Sequence, residues 1–91
     1  MLNAYQWKVF AADGALIGGT RYPQDAAALL LARRDGAVVR MACRIVARRN
    51  DYGEATYPEI TKAAMNMVAT AEQHAKESFA KHHSPHPMQE A

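Results

Sequence analysis

Apolar and polar residues alternate near the start of the chain. Tyr5, Trp7, Val9 and Ala11 stand against Gln6 and Lys8, the period-two pattern of a half-buried strand. Asp13-Gly14 follows, a pair that turns hairpins because glycine accepts a positive φ. Residues Ala15 to Thr20 then read as the return strand, with Gly18-Gly19 suggesting a bulge or a frayed end.

The period then changes. Tyr22-Pro23-Gln24-Asp25 opens a helix, with proline at the first helical position and Asp25 in the first turn facing the positive end of the dipole. Strong helix formers carry it from Ala26 to Arg34, and Asp35-Gly36 is expected to stop it. Further on, Thr56-Tyr57-Pro58-Glu59 has the spacing of a capping box. The helix it starts is expected to run to about His82. Ile60, Ala64, Met67, Ala71 and Ala75 form its apolar stripe, with Phe79 at the far end.

Residues 37–49 admit more than one reading. The odd positions Ala37, Val39, Met41, Cys43, Ile45 and Ala47 are apolar, while Arg40, Arg44 and Arg48 occupy even ones. As a strand, this segment has an apolar face carrying Cys43 and an opposite face carrying an arginine ladder. No turn residue interrupts Met41-Ala42-Cys43, which suggests one long strand or two with a kink. The arginines also fall at i, i+4 and i+8, as they would on one side of a helix. The β-branched pairs Val38-Val39 and Ile45-Val46 favour strand. The whole pattern predicts one α+β domain over residues 1–82. Its small antiparallel sheet of three or four strands is laid out as hairpin–helix–strand(s)–helix with a long C-terminal helix, and 83–91 form a disordered tail.

Composition narrows the range of functions. Of 91 residues, 49% are apolar, which is globular, but 19 residues are Ala, so little bulk is left for a core. The longest apolar run, Ala26 to Ala32, is far short of the roughly 20 residues of a membrane span. Met1 to Lys8 lack the basic and apolar regions of a secretory signal. With Cys43 the single cysteine, no intrachain disulfide can form, and a reducing cytoplasm is expected.

The net charge of +2 is unevenly placed: residues 37–50 carry Arg40, Arg44, Arg48 and Arg49 and no acid, while residues 51–91 are net acidic. Such a basic middle can bind an acidic partner or pair with the acidic end, through Glu72 and Glu77 of the long helix.

Catalytic groups are sparse. Ser78 and Ser84 are the only serines, no His precedes His74, and the aspartates sit in turns, where they hydrogen-bond backbone. Cys43 reads as a packed core thiol rather than as the partner of His74. Gly14 to Gly19 lack the Lys-Ser/Thr pair of a phosphate loop. The tail residues His82, His83, His86 and Met88 are metal-capable but have no fixed second shell, so neither metal nor cofactor is expected.

These observations point to a small non-catalytic cytoplasmic binding module, a regulator or adaptor acting through protein contacts. The long helix, about 39 Å over residues 57–82, outruns a domain of this size. A homodimer is therefore expected through Met67, Ala71, Ala75 and Phe79. The alternative is a small nucleic-acid-binding regulator using Arg40, Arg44, Arg48 and Arg49, their spacing matching a few phosphates.

Overall fold

The computed structural model describes residues 6–34 and 36–83, with side chains up to Phe79. The order is β1 (Trp7–Phe10), β2 (Leu16–Thr20), α1 (Pro23–Leu31), β3 (Val38–Met41), β4 (Arg44–Arg48), a single 3₁₀ turn (Arg49–Asp51) and α2 (Tyr57–His83). The strands form one antiparallel sheet in the order β2-β1-β3-β4, giving the α+β arrangement that the pattern predicts, with four strands. Of the expected tail, 83–91, His83 instead ends α2, and 84–91 lie outside the described residues.

Local chemistry explains most element boundaries. In the β1–β2 loop, the Ala15 N–H donates to Asp13 Oδ1 at 3.0 Å, and Gly14 takes φ 91°. Pro23 opens α1 as expected, after Tyr22 in extended conformation. That helix ends at Leu31, capped by Ala32, so Arg33 and Arg34 lie beyond its last turn rather than in it. At α2, Thr56 does precede the first turn and its carbonyl accepts from the Ile60 N–H at 2.9 Å. The capping-box pairing is replaced, however. Glu59 Oε2 accepts from Gly53 N–H at 3.0 Å, while the Thr56 N–H donates to the Glu54 carbonyl.

Both helices pack on one side of the sheet. Trp7, Val9 and Val39 meet Ala26, Ala27, Leu30 and Leu31 of α1 and Ala63, Ala64 and Met67 of α2 in the core. Gly18 allows α1 to approach β2: a Cβ there would stand 3.3 Å from Leu29 Cδ1. Six of the thirteen buried apolar residues are Ala, so the helices sit close to the sheet and the core is thin. Helix α2 is much longer than its support. Its 27 residues span about 40 Å, against about 13–17 Å for strands of four or five residues. The radius of gyration is accordingly 15.1 Å, where a compact chain of this length has about 12 Å.

Residues 37–49 form neither one strand nor a helix. They make a hairpin: β3 and β4 are joined by Ala42 and Cys43, with Met41 opposite Arg44. Ala42 supplies the positive φ of a tight two-residue loop, at 57°, without being glycine. The register then shifts within β4. Val39 faces Ala47 and Arg40 faces Ile45, which leaves Val46 as the extra residue of a bulge. A corresponding shift in β2 leaves Ile17 unpaired between Leu16 and Gly18.

Candidate functional site

Register decides which side chains share a surface. Directly opposed residues of an antiparallel sheet point to the same face, so the pairings arrange the helix-free face as two rows of four. One row is Gly19, Lys8, Arg40 and Ile45; the other is Leu16, Phe10, Val38 and Arg48. Three positions are cationic, four are apolar, one is glycine and none is acidic. Lys8, Arg40 and Arg48 are exposed, Leu16 is 60% exposed, and Phe10, Val38 and Ile45 are half-buried. The Arg40 guanidinium lies over the Phe10 ring, 5.6 Å from its centroid, a cation–π geometry. Gly19 leaves room for the Lys8 stem, whose Cγ would be 3.6 Å from a Cβ there.

The arginine ladder is therefore broken. Spacing along a single strand puts Arg40, Arg44 and Arg48 on one face, but the structure brings only Arg40 and Arg48 together. The two-residue loop sets Arg44 opposite Met41, which packs against the core on the helical side, so the side-chain parity inverts. The bulge at Val46 inverts it again: Val46 and Ala47 are both buried, and Arg48 returns to the open face. Arg44 instead reaches α2, its Nη2 3.5 Å from Glu77 Oε1, both side chains being about half exposed. The expected pairing of the basic segment with the acidic helix is met by this one arginine.

Arg49 does not join the open face either. Its Nε donates to the Arg33 carbonyl and its Nη1 to the Tyr52 carbonyl at 2.8 Å, tying the end of α1 to the approach to α2. Sequence reasoning overlooked Lys8, since its relation to Arg40 depends on the pairing of β1 with β3. The available signal was the alternation of β1, which puts Lys8 and Phe10 on the face opposite Trp7 and Val9.

The second surface lies where α2 passes the β3–β4 hairpin. A cleft of about 420 Å³ is bounded by Met41, Cys43, Val46, Ala71, His74 and Ala75, among others. Of the helix positions expected to meet a partner, Ala71 is half-buried, Ala75 is exposed and Phe79 is 64% exposed. Met67 is fully buried in the chain's own core, so its side chain is not presented to a partner.

Cys43 also departs from expectation. It is exposed in the hairpin loop rather than packed in the core, because β3 ends at Met41 and the chain turns at Ala42. The structure does bring Cys43 and His74 to one cleft. Among the described residues, no group of three or more His, Cys, Asp or Glu side chains is placed to hold a metal ion. The histidine-rich segment His82 to His86 lies outside the described side chains. No helix among the described residues is long and apolar enough to cross a membrane.

No family model matches this chain, and neither a curated protein nor a solved structure matches it.

Proposed function

We propose that this chain is a small non-catalytic binding module, a cytoplasmic regulator or adaptor that acts through protein contacts and assembles as a homodimer. The observation that carries this reading is the mismatch between α2, about 40 Å long, and the strands of four or five residues beside it, the β3–β4 hairpin lying along the helix as far as Glu77 and Ser78. A helix longer than its own strands is covered economically by a symmetry-related copy, since a two-fold contact uses one patch twice. The cleft lined by Met41, Val46, Ala71 and Ala75 lies along that helix, and Phe79 is exposed one turn beyond Ala75. The thin, alanine-rich core supports the same reading, because association removes further apolar surface from water.

Light scattering between 10 and about 500 µM tests this reading, with reductant present so that Cys43 cannot cross-link copies. The expected result is twice the 10.0 kDa chain mass, falling to a single chain in Ala75→Glu. Ala75 is exposed, so this change leaves the fold intact, as far-UV circular dichroism will show. A single-chain mass at the highest concentration, or a dimer indifferent to Ala75→Glu, overturns the proposed assembly.

A further inference from the structure

We propose that the helix-free face of the sheet binds single-stranded nucleic acid without regard to sequence, through Lys8, Arg40 and Arg48 as phosphate contacts and the Phe10–Arg40 pair as a stacking platform. The surface differs from the one that the spacing of arginines suggests: it excludes Arg44 and Arg49 and adds two residues of β1.

Charge complementarity selects the occupant. The eight positions of this face hold three cations and no acid. A second copy laid face to face would bring six cations together with no counter-charge, which like-charge repulsion disfavours. The face thus calls for an anion. Its apolar half then decides what kind. Phe10, Val38, Ile45 and Leu16 lie between and beside the cations rather than apart from them. An acidic peptide would answer the charge and leave the platform without a flat partner. A single-stranded nucleic acid presents flat bases and phosphates in alternation, and it matches both.

The dimensions agree. Lys8 and Arg40 are direct cross-strand neighbours, and Phe10 is two residues from Lys8, about 7 Å along β1. Guanidinium planes and phenylalanine rings both stack unpaired bases. A base set on Arg40, whose guanidinium already lies 5.6 Å above the Phe10 ring centroid, would extend that stack by one layer. Sequence preference is not expected. None of the eight positions holds an Asn, Gln, Ser, Thr, Asp or Glu. Gln6, exposed at the rim with its Nε2 3.3 Å from where a Cβ of Gly19 would stand, puts one amide beside them, which does not suffice to read the edges of a run of bases.

Fluorescence anisotropy with labelled oligonucleotides of twenty thymidines or twenty uridines tests the proposal on the full chain. At 50 mM salt both should bind alike, with a Kd on the order of 10 µM. Three phosphate contacts on a single strand set a log–log salt slope of about −2. Lys8→Ala, Arg40→Ala and Arg48→Ala should each flatten that slope by about 0.7. Arg40→Ala should also weaken binding at least tenfold, because it removes stacking as well as charge. Arg34→Ala, which removes an exposed cation off this face, should leave slope and affinity unchanged.

Four results would overturn the proposal: no binding at 1 mM protein, salt-insensitive binding, a duplex bound more tightly than the single strand, or a polyglutamate peptide bound as tightly as the oligonucleotide. The three substituted side chains are exposed, so circular dichroism will show the fold retained. Light scattering on the same variants separates this outcome from the state of assembly.

Discussion

Arg40 and Arg44 stand on opposite faces of the sheet, although their spacing of four in a strand-like segment reads as one arginine-bearing side. Arg40 is paired with Lys8 on the helix-free face, and Arg44 is set opposite Met41, from where it reaches Glu77 on α2. The loop at Ala42-Cys43 and the bulge at Val46 produce this separation between them. Each inverts the alternation once, so Arg48 is restored to the side of Arg40 and Arg44 alone is displaced.

The Arg44–Glu77 contact adds little to stability. At 3.5 Å and half exposed, the pair is screened by solvent, and exposed pairs contribute about 0.2–1 kcal/mol. In urea denaturation of Arg44→Ala, Glu77→Ala and the double variant, the coupling energy should come out at or below about 0.5 kcal/mol and vanish in 1 M salt. A coupling of 2 kcal/mol would mean that the hairpin is anchored to α2 by this pair.

Ala42 bears strain that glycine would relieve. A left-handed conformation costs an L-residue roughly 1–2 kcal/mol, and Ala42 holds φ 57° at the loop. Ala42→Gly should therefore raise stability by about 1 kcal/mol, or roughly 4–8 °C in Tm for a domain of this size. A lower Tm would show that the loop does not adopt this backbone in solution.

Cys43 should react readily in the native protein. It is exposed in the same loop, so a thiol-specific reagent should label it at nearly the same rate before and after denaturation. Protection in the folded state would place the thiol in an interface or in the core.

Arg49 should matter more to the fold than any other arginine of the basic segment. Its guanidinium holds the carbonyls of Arg33 and Tyr52 together, and removing it leaves both partly buried acceptors unanswered. Arg49→Ala should cost about 1–3 kcal/mol. Arg49→Lys should recover little of this, since an ammonium cannot reproduce the planar geometry that bridges two carbonyls. Chemical denaturation of the two variants beside Arg48→Ala, which should stay within about 0.5 kcal/mol, makes the comparison.

Met67 and Met65 divide α2 into its inner and outer sides. Met67 is fully buried and Met65 is 67% exposed. Met67→Ala should cost about 2–5 kcal/mol, a large part of the total for a small domain, whereas Met65→Ala should stay within about 0.5 kcal/mol. Equal costs would mean that α2 is rotated from the position described.

Local pattern by itself determined the α+β class, the β1–β2 hairpin at Asp13-Gly14, the proline start of α1 and the length of α2. Each of these depends on contacts within a few residues: an Asp side chain on the next turn's backbone, a fixed proline φ, a helical stripe at i, i+3 and i+4. The composition of the two surfaces was decided by tertiary structure. Strand alternation predicts a shared face only while the chain runs straight, and neither the Ala42 loop nor the Val46 bulge carries a glycine, proline or asparagine to mark it. The runs Met41-Ala42-Cys43 and Ile45-Val46-Ala47, each three apolar residues in succession, were the local signs that alternation fails there. Lys8 and Phe10 joined Arg40 and Arg48 only through the pairing of strands about 30 to 40 residues apart, a relation no single segment contains. Met67 shows the same limit on the helix. It shares a stripe with Ala71 and Ala75, which line the cleft beside the β3–β4 hairpin, and only the packed structure shows which positions of that stripe the chain's own core takes.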